Sequence, residues 1–321
     1  MKILFAGSPQ AAADTLNILL ENQSAYGFEV AGVLSNPPTA KGRHKELTPT
    51  PVAALALQKG LPVFTPEHLD SSAREQIQPI GADLLVSFAY GHIFGPKFLA
   101  LFPMGGINLH PSLLPKYRGC TPVPAAILNR DKQTAVTIQT LALKMDEGNI
   151  LAQKIVELDG TETGESLLNQ SAQIGAELIC NLLKNTENDS LPKGKEQTGE
   201  PSYTGIITKN DGKINWKESA AIIEAKIRAY YPDPGCWCVE NELPLRLLKA
   251  SYIESTDERV QKYDKNAAEG TVLDFVKQDG IYIKTADGLL VVKELQRQGK
   301  KAMNYKDFMN GARDFVGSVL Q

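Results

Sequence analysis

The chain has 321 residues, enough for two domains, with 42% apolar and 22% charged residues and a net charge of −3. That balance excludes a basic nucleic-acid coat, and no apolar run approaches the roughly 18 residues of a membrane span. Four cysteines, Cys120, Cys180, Cys236 and Cys238, are too few and too scattered for a disulfide frame, and no second pair or nearby His completes a metal site around Cys236 and Cys238.

Met1-Lys2-Ile3-Leu4-Phe5 enters a strand directly, without the apolar region of a signal peptide, so a cytoplasmic location is expected. Lys2–Gly7 reads as that strand. Gly7-Ser8-Pro9 then leads into a helix over 11–21, with Ala12, Leu16, Leu19 and Leu20 at helical spacing. A strand–turn–helix junction suits anion binding, but neither a G-x-G-x-x-G nor a G-K-[ST] fingerprint is present, so no nucleotide cofactor is implied. Glu29–Leu34 reads as a second strand. The polar segment 36–46 follows, with Lys41, Arg43 and Lys45 within five residues. A helix over 52–59, a short strand over 61–64 and a weak helix over 73–80 come next. The nearly continuous apolar run 84–89 reads as a strand buried on both faces.

Gly106–Leu109 is the next strand. It ends on Asn108 and His110, two residues apart, so both side chains leave one face. An amide can donate to a developing oxyanion and an imidazole can move a proton near neutral pH, which is the equipment of acyl transfer. Each residue alone has a plainer reading, the Asn as a turn former and the His as structural. Another strand is expected over 135–143. It leads to Lys144-Met145-Asp146-Glu147-Gly148, whose Asp146 is either a turn acid or a partner for the imidazole. Strands alternating with helices point to a doubly wound, mostly parallel Rossmann-like sheet, with ligands beyond its C-terminal strand ends.

A long amphipathic helix is expected over 164–184. The Asn-, Lys-, Gly-, Glu- and Pro-rich stretch that follows reads as a linker. The remainder opens with 206–216 and an amphipathic helix near 219–230, ended by Pro232-Asp233-Pro234-Gly235. Short strands follow over 236–239, 245–252, 271–276, 281–285 and 289–295, the pattern of a small β domain.

The run Asn108-Leu109-His110-Pro111-Ser112-Leu113-Leu114-Pro115-Lys116-Tyr117-Arg118-Gly119 resembles the signature of the folate-dependent formyltransferases. The likeness extends to Ile3–Pro9, to Ala82–Gly91 and to Gly299–Met303, and so along nearly the whole chain. It implies Asn108, His110 and Asp146 as catalytic residues and N10-formyltetrahydrofolate as co-substrate, without a metal. Phe88, Ala89, Tyr90, Ser112, Leu113, Leu114, Pro115 and Leu141 would line the folate pocket. It further implies a catalytic domain over 1–187, a linker over 188–205 and a C-terminal OB-like β-barrel domain over 206–321 that binds tRNA. The Gly299–Met303 segment and the basic loop select the members whose acceptor is the amine of methionine on initiator tRNA. The tRNA contacts would be Lys41, Arg43, Lys45, Lys209, Lys300 and Lys301. The protein is expected to be a monomer. Gln10-Ala11 departs from those members, which usually carry an acidic residue and then Phe after the first turn, so the methionine side-chain pocket is expected to differ. Formyl transfer to glycinamide ribonucleotide or to a sugar nucleotide would use the same trio. An inert RNA-binding relative would have no need of it.

Overall fold

A computed structural model describes residues 1–41, 46–186, 190–312 and 314–321. By contacts it divides into two units. One comprises 1–122, 133–157 and 167–205, the other 123–132, 158–166 and 206–321.

In chain order the first part runs β1 (Lys2–Gly7), α1 (Gln10–Tyr26), β2 (Glu29–Leu34), β3 (Thr39–Lys41), β4 (Glu46–Thr48), α2 (Pro51–Gln58), β5 (Val63–Phe64), α3 (Ser71–Ile77), β6 (Leu84–Phe88), α4 (Pro96–Leu99), β7 (Gly106–His110), β8 (Arg118–Gly119), α5 (Pro122–Leu128), β9 (Gln133–Thr140), β10 (Ile150–Glu157), α6 (Gly164–Lys184) and β11 (Tyr203–Thr204). Then come α7 (Ala220–Ala229), β12 (Cys236–Glu240), β13 (Leu243–Ile253), β14 (Val272–Val276), β15 (Gly280–Lys284), β16 (Leu289–Arg297), β17 (Met303–Asn304) and α8 (Tyr305–Asn310).

The first unit is built on a seven-stranded sheet in the order β10-β9-β7-β6-β1-β2-β5. The strands from β7 to β5 are parallel, while β9 and β10 run antiparallel on the other edge. β1 and β6 are almost wholly buried, which is why their apolar sequence is continuous rather than alternating. On one face Leu4, Ala6 and Leu85 pack with Ile77, Phe94, Phe98 and Phe102. On the other, Thr15 of α1 donates its hydroxyl to the Ala172 carbonyl of α6, and Gly175 of α6 lies against Leu109 of β7. The buried positions of α6 (Leu167, Ser171, Ala172, Gly175, Ala176, Ile179, Cys180, Leu183) recur at helical spacing, so one stripe faces inward.

Three local differences from the sequence reading bear on the site. β9 leaves the sheet at Thr140 rather than continuing to 143, and residues 141–149 form a loop closed by a hydrogen bond from the Thr140 amide to the Asn149 carbonyl, 3.0 Å. A further strand, β10, follows that loop. The polar segment after β2 is bracketed by the antiparallel pair β3–β4, and 42–45 lie outside the described residues.

The second unit contains an antiparallel sheet in the order β12-β13-β16-β15-β14, with β17 on β16, consistent with a barrel-like domain. Its two edge strands are bridged by the end of the chain. Val239 of β12 exchanges both backbone hydrogen bonds with Gln321, at 2.7 and 3.0 Å. Val272 of β14 donates to the Ser318 carbonyl at 2.9 Å and accepts from the Gly317 amide at 2.8 Å. Cys236 and Cys238 are buried in this unit, where burial pushes both thiols up, and they pack as small apolar groups.

Candidate active site

β7 delivers Asn108 and His110 to the C-terminal end of the parallel sheet, where doubly wound folds place their ligands. Its neighbour β9 sets Gln139 opposite Asn108 and Thr137 opposite His110. The sheet therefore carries a polar stripe on one face here, while Leu109 and Ile138 fill the other. His110, Thr137 and Gln139 are all less than 5% exposed. Buried polar side chains persist when their hydrogen bonds are made, and here they are. Thr137 Oγ1 donates to the Ser112 carbonyl at 2.7 Å, and Gln153 of β10 donates to Thr137 Oγ1 at 2.8 Å.

The imidazole of His110 is held at both nitrogens. Nε2 lies 2.9 Å from the Tyr117 carbonyl, and because a carbonyl only accepts, Nε2 carries the hydrogen. Nδ1 faces Asp146 Oδ1 at 3.6 Å, an ion-pair distance longer than a hydrogen bond. Burial pushes the imidazole below its ordinary value, against the opposing pulls of the Asp146 charge and the Tyr117 carbonyl. The resting ring is then neutral at pH 7, with a free lone pair on Nδ1. Asn108 is half-buried, and its amide makes no hydrogen bond among the described residues.

Asp146 is fixed from several directions. The Gly119 amide donates to Oδ2 at 2.7 Å, and Gln139 Nε2 donates to Oδ1 at 2.8 Å. Gln197 Nε2 donates to the Asp146 and Gly148 carbonyls, both at 2.8 Å. Arg118 contacts Gln197 Oε1 through Nε (3.1 Å) and Nη2 (2.8 Å), and its Nη1 reaches Tyr203 Oη (2.9 Å) and Glu147 Oε1 (3.2 Å). The segment that supplies Gln197 is tied down on both sides. Lys195 exchanges backbone hydrogen bonds with Ile150, and Tyr203–Thr204 pair in parallel with Arg118–Gly119.

Left-handed backbone marks the same places. Ala89 (φ 51°), Tyr117 (φ 58°) and Asp146 (φ 54°) are non-glycine residues in that region, a conformation that costs free energy and concentrates at functional sites. Phe88 closes β6 and is buried, Ala89 is exposed, and Tyr90 is buried within the apolar cluster that Leu141 packs against. Two polar atoms there lack partners among the described residues, the Tyr90 hydroxyl and Asn36 Oδ1, and Asn36 Nδ2 donates to the Tyr90 carbonyl at 3.0 Å. Burial pushes the Tyr90 hydroxyl up to about 12, so it stays a donor. Ser112 is fully buried, and its hydroxyl is committed to the Lys116 carbonyl at 2.7 Å, which closes the loop through Leu113, Leu114 and Pro115. Leu114 is buried, and Leu113 and Pro115 are half-buried. Lys209, Lys300 and Lys301 are exposed on the second unit. Lys41 ends β3, and Arg43 and Lys45 lie outside the described residues.

Sequence reading missed Gln139, Gln197, Arg118 and Gly119 as supports. Gln139 had a signal, since polar Thr137 and Gln139 alternate with Val136 and Ile138 in a strand whose two faces should both be covered. Gln197 had none, because it lies in a stretch that reads as solvated.

A buried imidazole against a carboxylate, beside an amide that has no partner among the described residues, at the end of a parallel sheet, is an arrangement able to carry out acid–base transfer at a carbonyl. Residues 1–183 match the family model described as formyl transferase, and residues 206–313 match that of the formyl transferase C-terminal domain. The chain belongs to the formyl transferase family. A methionyl-tRNA formyltransferase of Treponema denticola is 42% identical, with 98% of each chain covered. That of Rickettsia massiliae is 34% identical over the whole of both. Among solved structures, the fold is shared with a sugar 3N-formyl transferase crystallised with dTDP and 5-N-formyl-THF (TM-score 0.62, 21% identity, 94% of this chain and 99% of that one). It is also shared with methionyl-tRNA formyltransferase from Clostridium thermocellum (TM-score 0.57, 16% identity, 80% and 95%).

Proposed function

We propose that this protein moves a formyl group from N10-formyltetrahydrofolate to the α-amine of methionine on initiator methionyl-tRNA. The observation that carries the reading is the buried His110–Asp146 pair, with the Asn108 amide, which has no partner among the described residues, two residues from His110 on the same face of β7. The full-length relatives named methionyl-tRNA formyltransferase support the acceptor. The folate supplies the formyl group. The Tyr90 hydroxyl and Asn36 carbonyl oxygen, without partners among the described residues, fit a ligand that bears both acceptors and donors. Phe88, Ala89, Tyr90, Leu141 and the Ser112–Pro115 loop are the proposed walls of its pocket.

In the mechanism, Asn108 donates to the formyl oxygen as the amine attacks and negative charge grows there. His110 Nδ1 takes a proton from the attacking nitrogen, since Nε2–H is committed to the Tyr117 carbonyl. It returns that proton to the departing N10 as the carbon–nitrogen bond breaks. Asp146 stabilises the imidazolium between the two transfers. Amine and N10 exchange one proton and one formyl group, so no covalent enzyme species is required. Residues 1–187 would hold this chemistry, 188–205 would link it to 206–321, and the second part would bind tRNA. Lys41, Arg43, Lys45, Lys209, Lys300 and Lys301 are the proposed phosphate contacts, and the protein would act as a cytoplasmic monomer.

The test is formyl transfer to charged initiator methionyl-tRNA by the wild type and by Asn108→Ala. The wild type should transfer, and the variant should lose about 100–1,000-fold in rate. A wild type that binds folate but leaves methionyl-tRNA unformylated overturns the acceptor assignment.

A further inference from the structure

We propose that Gln197 and Gln139 are positioning residues that form a one-way hydrogen-bond relay from Arg118 to Asp146, and that this relay holds Asp146 in register with His110. The inference rests on the catalytic reading above.

The direction of the relay follows from what each group can do. A guanidinium only donates, so the Gln197 atom between Arg118 Nε and Nη2 is its oxygen. The other end of that amide must be the NH2 group. It faces two backbone carbonyls, those of Asp146 and Gly148, which only accept. Two independent surroundings therefore impose the same orientation, and a flipped amide would oppose both. Gln139 is oriented by Asp146 itself: a carboxylate oxygen only accepts, so the group 2.8 Å from Oδ1 is the Gln139 NH2, and its Oε1 is left facing the Gln197 NH2 at 3.3 Å, a longer contact shared with the two closer carbonyls. Asp146 Oδ1 is the oxygen facing His110 Nδ1. Arg118 is itself braced by Glu147 Oε1 and Tyr203 Oη, with its guanidinium 5.7 Å from the Tyr203 ring centroid.

The relay acts on a backbone that would otherwise relax. Asp146 is left-handed, and Gln197 holds its carbonyl. Without that bond the loop can leave this conformation and carry the carboxylate away from the imidazole. The charges near the ring belong to this network: Asp146 acts on His110 directly, while Glu147, Arg118 and Lys144 surround the far end of the relay. The Lys195–Ile150 and β8–β11 hydrogen bonds anchor the segment on both sides of Gln197. Changing this one side chain therefore leaves the segment attached.

The experiment compares Gln197→Leu and Gln197→Glu with the wild type by two readouts. One is kcat and KM for formyl transfer. The other is the titration of His110 in the ligand-free protein, followed by NMR of labelled histidine and assigned with His110→Asn. Gln197→Leu should lower kcat by up to about 100-fold while KM for both substrates stays within about two-fold, because misplacement by about 1 Å costs that much. The His110 midpoint should fall, since burial then acts with less opposition from Asp146. Gln197→Glu keeps the size and the acceptor for Arg118 but loses the donor, and it should lose kcat as Gln197→Leu does, while its added charge keeps its His110 midpoint above that of Gln197→Leu. If Gln197→Glu retains wild-type kcat, or if both variants lose only thermal stability and leave the His110 titration in place, the relay is overturned. The NMR readout needs no substrate. A wild type that fails to formylate methionyl-tRNA thus sinks the functional reading and leaves the relay separately decided.

Discussion

At the scale of single residues, His110 is governed by competition between burial and charge. Burial wins, so the folded protein binds the imidazole proton less readily than the unfolded chain does. Above pH 6.5 the ring is neutral in both states and imposes no penalty. As pH falls through 6.5 the unfolded chain takes up a proton that the folded one refuses, so native stability is lost until the lowered folded midpoint is passed. The drop in Tm between pH 7 and pH 5 should be larger for the wild type than for His110→Gln, measured by calorimetry; equal drops would contradict it. In the proposed mechanism the same neutral ring is the base, so the acid limb of kcat/KM should lie below pH 6.5. Losing a positioned base costs about 100–10,000-fold, the expected rate loss for His110→Ala.

At the scale of elements, the two-residue pair β8–β11 is small but consequential. Gly119 has φ 104°, a Cβ there would overlap the Thr204 carbonyl, and its amide holds Asp146 Oδ2. Gly119→Ala should cost on the order of 1–3 kcal/mol in urea unfolding, from backbone strain, and should depress formyl transfer as well. Full activity with normal stability would show that this approach is dispensable. The elements differ in how readily their sequences announce them. β1, β6 and β7 are short apolar runs ended by Gly7, Ala89 and Pro111, and the stripe of α6 repeats at helical spacing, so local pattern suffices for them. The structure brings His110 and Asp146 to 3.6 Å of each other. Asp146 itself is a turn acid by local reading; only the antiparallel turn-back of β9 places it beside His110. Gln197 is beyond local pattern altogether. Its partners Arg118, Gln139 and Asp146 are distant in the chain, and the choice of amide orientation is made by those partners, not by neighbouring sequence.

At the scale of the whole molecule, the two units bury separate cores, and in the second the closure is made by residues 317–321, which lie outside the named strands. Residues 317–321 are hydrogen-bonded to β12 through Val239 and to β14 through Val272, and Leu320 is only 2% exposed. Removing 317–321 should leave two raw sheet edges, a surface prone to pairing with other chains. The truncated protein should aggregate on mild warming, and the amides of Val239 and Val272 should exchange faster with deuterium; unchanged protection would refute the closure. The arrangement also sets an order of events during synthesis. Everything the first unit needs has been translated by Gly205, so that unit can assemble on the ribosome. The second unit waits for residues 317–321, and until they emerge, strands made much earlier stand unsealed. A nascent chain stalled short of residue 317 would therefore be half finished in a particular way, with one unit folded and the other exposing its edges to whatever is nearby.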